Sequence, residues 1–357
     1  MSKPHSPTAA EIWKQFCKTL EQAGERVLAE PASEREQAEG LRYLTRLLRI
    51  GLEMHLEHSD PLFPVFYQAS HTTGKIGSDN PDNYYQNATI NSDYSYKVAG
   101  QRGSVPILSF GTKANRYAVD GTMASTGELD SLDMQVAEDG SFEIIASKEK
   151  QDGNWLPLAD DSSMLIVRQT FIDRSKETGA EVTIECLDAP AHPSPAEFDT
   201  THASLSRTAA FVGGTANTFL DWAHLFRKEQ LNQLATKDQS MFFRAGGDPT
   251  IFYLHGWWEL QENQALTIHS TIPECEGWNF QINNLWMESL DYRYHTIHTN
   301  NGLAELNEDG TVTVVVAAKN NGYKNWIDTS GLTRGTMLWR WTNAKDHPLP
   351  ETGVINV

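Results

Sequence analysis

At 357 residues the chain exceeds what one hydrophobic core ordinarily serves, so two cores are expected. A formal net charge of −18, from 47 acidic against 29 basic side chains, repels phosphate backbones and anionic lipid surfaces, which argues against nucleic acid and membrane as partners. Three scattered cysteines (Cys17, Cys186 and Cys275), no signal-peptide core in MSKPHSPTAAEIWKQF and no apolar run of membrane-spanning length predict a soluble, cytoplasmic protein with reduced thiols.

In chain order, Ser6-Pro7 and Thr8-Ala9-Ala10-Glu11 offer a helix start in two registers, and Ile12, Trp13, Phe16, Leu20 and Val27 follow at helical spacing. A second helix is predicted over 33–56, with Leu41, Leu44, Leu48 and Leu52 as its stripe. Together these form an N-terminal helical cap, residues 1–60. Turn residues such as SDNPDNYYQ at 78–86 then introduce a first β unit, 61–189, with strands predicted at 84–90, 94–99, 104–110, 141–147, 164–173 and 180–187. A helical linker at 190–245 is predicted as two helices split near Gly213-Gly214, the second carrying Phe219, Trp222, Ala223 and Phe226 on one side. The second β unit spans 246–342, and the tail at 343–357 need not be ordered. The fold class expected is mainly β with helical additions: two related antiparallel β-sandwich or jelly-roll units, the helical cap and the helical linker.

The relation between the units rests on an internal repeat. DGSFEIIASKEKQDGNWLPLADDSSMLIVRQTF at 139–171 and DGTVTVVVAAKNNGYKNWIDTSGLTRGTMLWRW at 309–341 share an Asp-Gly turn, an Asn-Trp pair and a closing Arg. Gly140 to Trp155 spans 15 positions against 16 for Gly310 to Trp326, and Trp155 to Arg168 spans 13 against 14 for Trp326 to Arg340. Trp155 should therefore match Trp326, and Arg168 should match Arg340 in a structural role, bridging to backbone or carboxylates.

Seven of the ten tryptophans fall between Trp257 and Trp341, and large flat rings either fill a core or wall a pocket. If Trp278 to Asn283 is a strand, Trp278, Phe280 and Ile282 face the core while Asn279, Gln281 and Asn283 form an uncharged amide face suited to hydroxyl or carbonyl groups. A ligand pocket is therefore expected in the second unit. Its lining would be Trp257, Trp258, His269, Trp278, Asn279, Gln281, Asn283, Trp286, Asn325, Trp326 and Arg334, with Arg334 in a loop and free to meet a ligand. Glu259, beside indole, is the candidate general acid and Asp328 the candidate second carboxylate; a solvated Glu and a turn-capping Asp are the plainer readings. His255 and His269 are candidate bases. No metal is expected: His295 and His298 point to opposite faces of a strand, and neither HExxH nor a zinc-spaced cysteine pair occurs. No phosphate loop, GxGxxG fingerprint or GxSxG elbow is present either, so no cofactor is expected.

SDNPDNYYQ at 78–86, GWWELQENQALTIHSTIPECEGWNFQINNLW at 256–286 and NGLAELNEDGTVTVVVAAKNNGYKNWIDTSGLTRGTMLWRW at 301–341 resemble the bacterial domain of unknown function numbered twelve-fourteen, often partnered by the one numbered twelve fifty-four. The likeness is strongest over 246–342. It implies β-sandwich or jelly-roll domains, compared elsewhere with those of peptide N-glycosidases, a fold analogy that carries no activity. The family's loop has a His-Arg-Asp-Pro-like run before Asn-Trp-Leu-Asp-Thr-Ala-Gly-His. Here Lys319-Asn320-Asn321 and Asn325 to Leu332 lack both histidines. Two functions follow as expectations: a metal-independent hydrolase acting on a neutral sugar-, sterol- or aromatic-like molecule, or a noncatalytic ligand-binding or accessory protein. Self-association is left open.

Overall fold

Thr8 and Glu11 settle the register of the first helix. In the computed structural model, which describes residues 7–236 and 238–357, Thr8 Oγ1 accepts from the Glu11 amide at 3.3 Å and the Glu11 carboxylate accepts from the Thr8 amide at 2.8 Å. This capping box opens α1 (Ala9–Leu28); Ser6, the alternative start, lies outside the described residues. Ser33 caps α2 (Glu34–Leu52), which runs on into a π-helical turn at Glu53–Glu57. The deeply buried positions of α2 are Gly40, Tyr43, Leu47 and Ile50, because Tyr43 stacks on Trp286 and this face meets the rest of the molecule. The expected leucine stripe is rotated off that face, and Leu41 is exposed.

The first β unit comprises β1 (Asn83–Thr89), β2 (Tyr96–Gln101), β3 (Ile107–Arg116), β4 (Thr122–Asp130), β5 (Ser141–Ser147), β6 (Asn154–Pro157), β7 (Met164–Thr170) and β8 (Glu181–Cys186). Between the units lie α3 (Phe198–Glu229), β9 (Gln233–Thr236) and α4 (Gln239–Arg244). The second unit has β10 (Ile251–Glu259), β11 (Gln264–Ser270), β12 (Gly277–Ile282), β13 (His298–Asn300), β14 (Val312–Ala317), β15 (Trp326–Asp328), β16 (Arg334–Thr342) and β17 (Glu351–Asn356). Sheet orders are β1-β7-β3-β4 and β6-β5-β2-β8 in the first unit, β10-β16-β12-β13 and β15-β14-β11-β17 in the second. Adding nine to each label of the first unit reproduces the second, so eight strands are repeated in the same places.

Local bonding repeats as well. The Asn154 amide bridges the backbone of Gln135 and Glu143, and the Asn325 amide bridges Glu305 and Thr313 in the same manner. Trp155 Nε1 donates to the Ser147 carbonyl at 3.1 Å and Trp326 Nε1 to the Ala317 carbonyl at 2.9 Å. Gly140 and Gly310 hold φ of 83° and 81°, the left-handed conformation that makes Asp-Gly the turn chemistry of both copies. The sheets are not wholly antiparallel: β5–β6 and β14–β15 are parallel, one such pair per unit.

Alternation along the strands sets the cores. Leu108, Phe110, Leu165 and Val167 face β2 and β5 across the first sandwich; Trp278, Phe280, Trp339 and Trp341 face β11 and β14 across the second. A third core lies between the units, where α1, α2 and the inner sheets pack around α3. The predicted split of the linker is absent. α3 is a single helix of 32 residues that runs through Gly213-Gly214, and Gly214 is needed for close packing: a Cβ there would stand 2.2 Å from the Tyr117 carbonyl oxygen. The tail is ordered as β17, paired along β11. Among the described residues, no helix is long and apolar enough to cross a membrane.

Candidate functional site

The repeat reaches further upstream than the sequence motif. Asn80-Pro81 precedes Tyr85 by the same interval as Asp248-Pro249 precedes Tyr253, and in each case the tyrosine oxygen accepts from the amide five residues earlier, at 3.0 Å from Asn80 and 2.8 Å from Asp248. Both are Asx turns, closed onto the amides of Asp82 and Thr250 at 3.0 Å each. Tyr85 pairs in register with Arg168, and Tyr253 with Arg340.

Each arginine then crosses to the other unit. Arg168 donates to the Gly246 carbonyl at 2.7 Å and to Asp248 Oδ2 at 3.5 Å; Arg340 donates to the Ser78 carbonyl, and Gly246 and Ser78 are equivalent residues, each two before its Asx turn. Ser109 Oγ reaches Asp248 at 3.1 Å as Asn279 Nδ2 reaches Asn80 at 2.6 Å. The two units clasp each other reciprocally.

Between the clasps and α3 lies a cavity of about 150 Å³. Its polar wall includes Tyr85, Asn87, Arg168, Tyr253, His255 and Arg340; its apolar wall includes Met54, Met123, Met164, Phe211, Phe219 and Trp222. Met54 belongs to the π-helical turn, a helical irregularity often found at functional sites. His255 is 3% exposed and its Nδ1 has no hydrogen-bond partner among the described residues. Burial, and then the Arg340 charge, push its pKa well below the usual imidazole value, so the ring is neutral. Burial raises the pKa of both tyrosines, which stay protonated.

None of the residues predicted to line the pocket, and neither predicted carboxylate, lines this cavity. Asn279, Gln281 and Asn283 do lie opposite Trp278, Phe280 and Ile282, but their amides are spent on the seam. Asn279 donates to Asn80 and Asp82, Gln281 to the Asp79 carbonyl at 2.9 Å, and Asn283 to Ser78 Oγ at 3.1 Å. Trp258 and Trp278 are in the second sandwich core; Trp257 and Trp286 are in the central one. Asn325 and Trp326 hold their own loop, and His269 bonds Thr313 at 3.1 Å on the outer sheet. Arg334 is not free: it makes a bidentate pair with Glu36 of α2, at 2.8 and 2.9 Å. Glu259 lies 3.1 Å from Trp257 Nε1 and 3.3 Å from Arg227, whereas Asp328 caps Ser330 and lies 2.8 Å from His295, so each carboxylate has its own separate partners. His298 faces Asp82 instead, at 3.0 Å. Of the candidate bases, His255 alone reaches the cavity. The Asx-Pro turn five residues before a tyrosine, present twice, was the signal that could have located the site.

Fold and site define a duplicated β-sandwich protein whose halves enclose a small cavity beneath a helical layer. The family described as Protein of unknown function (DUF1214) matches residues 85–170, and the chain belongs to that family. The match runs from β1 to β7 of the first unit, whereas the resemblance read from sequence was strongest over the second; the units are copies, so one pattern can be recognised in either. An uncharacterized protein from Burkholderia cenocepacia, known from its crystal structure, is 45% identical over 98% of this chain and 97% of its own, with a TM-score of 0.96. The VPA0106 protein from Vibrio parahaemolyticus, also a crystal structure, is 10% identical over 95% of this chain and 100% of its own with a TM-score of 0.50, a likeness of fold alone. No curated protein matches the chain.

Proposed function

We propose that the protein is a noncatalytic small-molecule-binding protein and that the cavity between its two units is the binding site. The observation that carries this reading is the Nδ1 of buried His255, without a hydrogen-bond partner among the described residues, in a chamber with one wall of aromatic rings and methionines. A buried polar atom without a partner is expensive, and a bound molecule that hydrogen-bonds to it removes that penalty. The volume, about 150 Å³, matches a cavity known to take benzene, so the ligand is compact, with a flat or short aliphatic body and one polar end. Methionine suits such a wall because its unbranched thioether adapts to the ligand's outline. Glu259 and Asp328, the acids a hydrolase would use, support the binding reading by their separate partners away from the cavity.

Native mass spectrometry of the purified protein should reveal one small molecule per chain, released on denaturation. Ala69→Leu, which adds bulk at the buried cavity wall, should lower its occupancy while the protein stays folded. A ligand retained at full occupancy by a folded Ala69→Leu protein would rule this cavity out.

A further inference from the structure

Duplication makes an internal comparison available. Arg168 and Arg340 occupy equivalent strand positions, both are largely buried, and both line the cavity. The turn facing Arg168 supplies a carboxylate, Asp248, while the equivalent position facing Arg340 is Asn80, a neutral amide. The hydrogen bonds of Arg340 go to the oxygens of Gln281, Asn279 and Ser78, all uncharged, and among the described residues no carboxylate lies within 4 Å of it. Nearby acids are committed elsewhere: Asp79 accepts from the amide and hydroxyl of Ser289 at 2.9 and 2.8 Å, and Asp82 is engaged by His298, Asn300 and Asn279. The contrast shows in their acidities. Burial is the largest influence on both arginines and opposes their charge; at Arg168 it is outweighed by Asp248 together with Glu128 and two tyrosines, and the pKa is raised, whereas at Arg340 the two tyrosines and the more distant Asp82 and Asp79 do not outweigh it, and the pKa is lowered. A buried guanidinium without an anion is electrostatically incomplete, and an anion delivered by a ligand completes it.

Resting on the reading of the cavity as a binding site, we infer that its ligand is a small carboxylic acid. The carboxylate meets Arg340 from the cavity side and supplies the charge that Asp248 gives Arg168 and Asn80 does not give Arg340, and the apolar body lies against Phe211, Phe219 and Trp222. A guanidinium has five N–H donors, and the three hydrogen bonds Arg340 makes within the protein leave donors for the incoming oxygens. Neutral His255, on the adjacent strand, can hydrogen-bond the same group through Nδ1.

Calorimetric titration with benzoate and its neutral isostere benzamide tests this, with the methyl resonances of Met54, Met123 and Met164 reporting whether binding is in the cavity. Benzoate should bind about tenfold or more tighter than benzamide. Asn80→Asp, which puts a carboxylate where the second turn has one, should reduce that preference to below about threefold by weakening benzoate alone. Benzamide binding as tightly as benzoate to the unmodified protein, with cavity methyl shifts, would overturn the acid inference and leave the cavity reading standing. A preference unchanged in folded Asn80→Asp would overturn the assignment to Arg340. If neither probe moves the cavity methyls, both readings fall.

Discussion

Arg334 and Glu259 face each other in register across β10 and β16, and they show how far a residue's neighbours decide its role. Arg334 belongs to a loop-edge motif that suggests freedom, yet its guanidinium and the Glu36 carboxylate are 13% and 9% exposed and tie β16 to α2. Removing one partner of such a pair leaves the other charge stranded, so Arg334→Met should cost about 2–4 kcal/mol. Glu259 is different: its pair with Arg227 is roughly a third to a half exposed, and Glu259→Gln should change stability by less than about 1 kcal/mol. Urea midpoints at constant m-value would measure both. A smaller loss at Arg334 than at Glu259 would mean that the buried pair contributes nothing to holding the helical layer.

At the scale of elements, the Asn-Trp corner is the piece of architecture used twice. One amide side chain there makes three backbone hydrogen bonds and fixes the parallel strand beside it. Asn325→Ala and Asn154→Ala should therefore each cost about 2–3 kcal/mol by thermal or urea unfolding. Near-equal losses are the expected signature of a duplicated element. That corner was legible because its motif is contiguous in sequence, and so was the division of β12 into an aromatic and an amide face, a consequence of period-two alternation. The partner of the amide face was not legible. Asn279 meets Asn80 across 199 positions, and nothing in Asn279-Phe280-Gln281 distinguishes a face turned to another sheet from one turned to a ligand or to water. β4 and β6 escaped for a different reason: β4 is polar along most of its length and β6 has four residues, so neither carries a hydrophobic period. Gly213-Gly214 imitated a break because glycine serves close packing and chain reversal alike.

Across the whole molecule, the clasped units and the shared core around α3 leave neither sandwich an independent surface. Heating should produce one transition, with calorimetric and van't Hoff enthalpies in a ratio of about one. Two resolved transitions would show that the seam is weaker than its arginine and amide bonds imply. The clasp also sets an order of events during synthesis. Arg168 waits 78 residues for Gly246, but Ser78 waits 262 residues for Arg340. The loop at 77–82 must stay unclamped throughout, and such a distant closure makes for slow final folding. A chain interrupted before β16 lacks Leu338 and Arg340 and so has no closed chamber, whatever its first unit has formed by then.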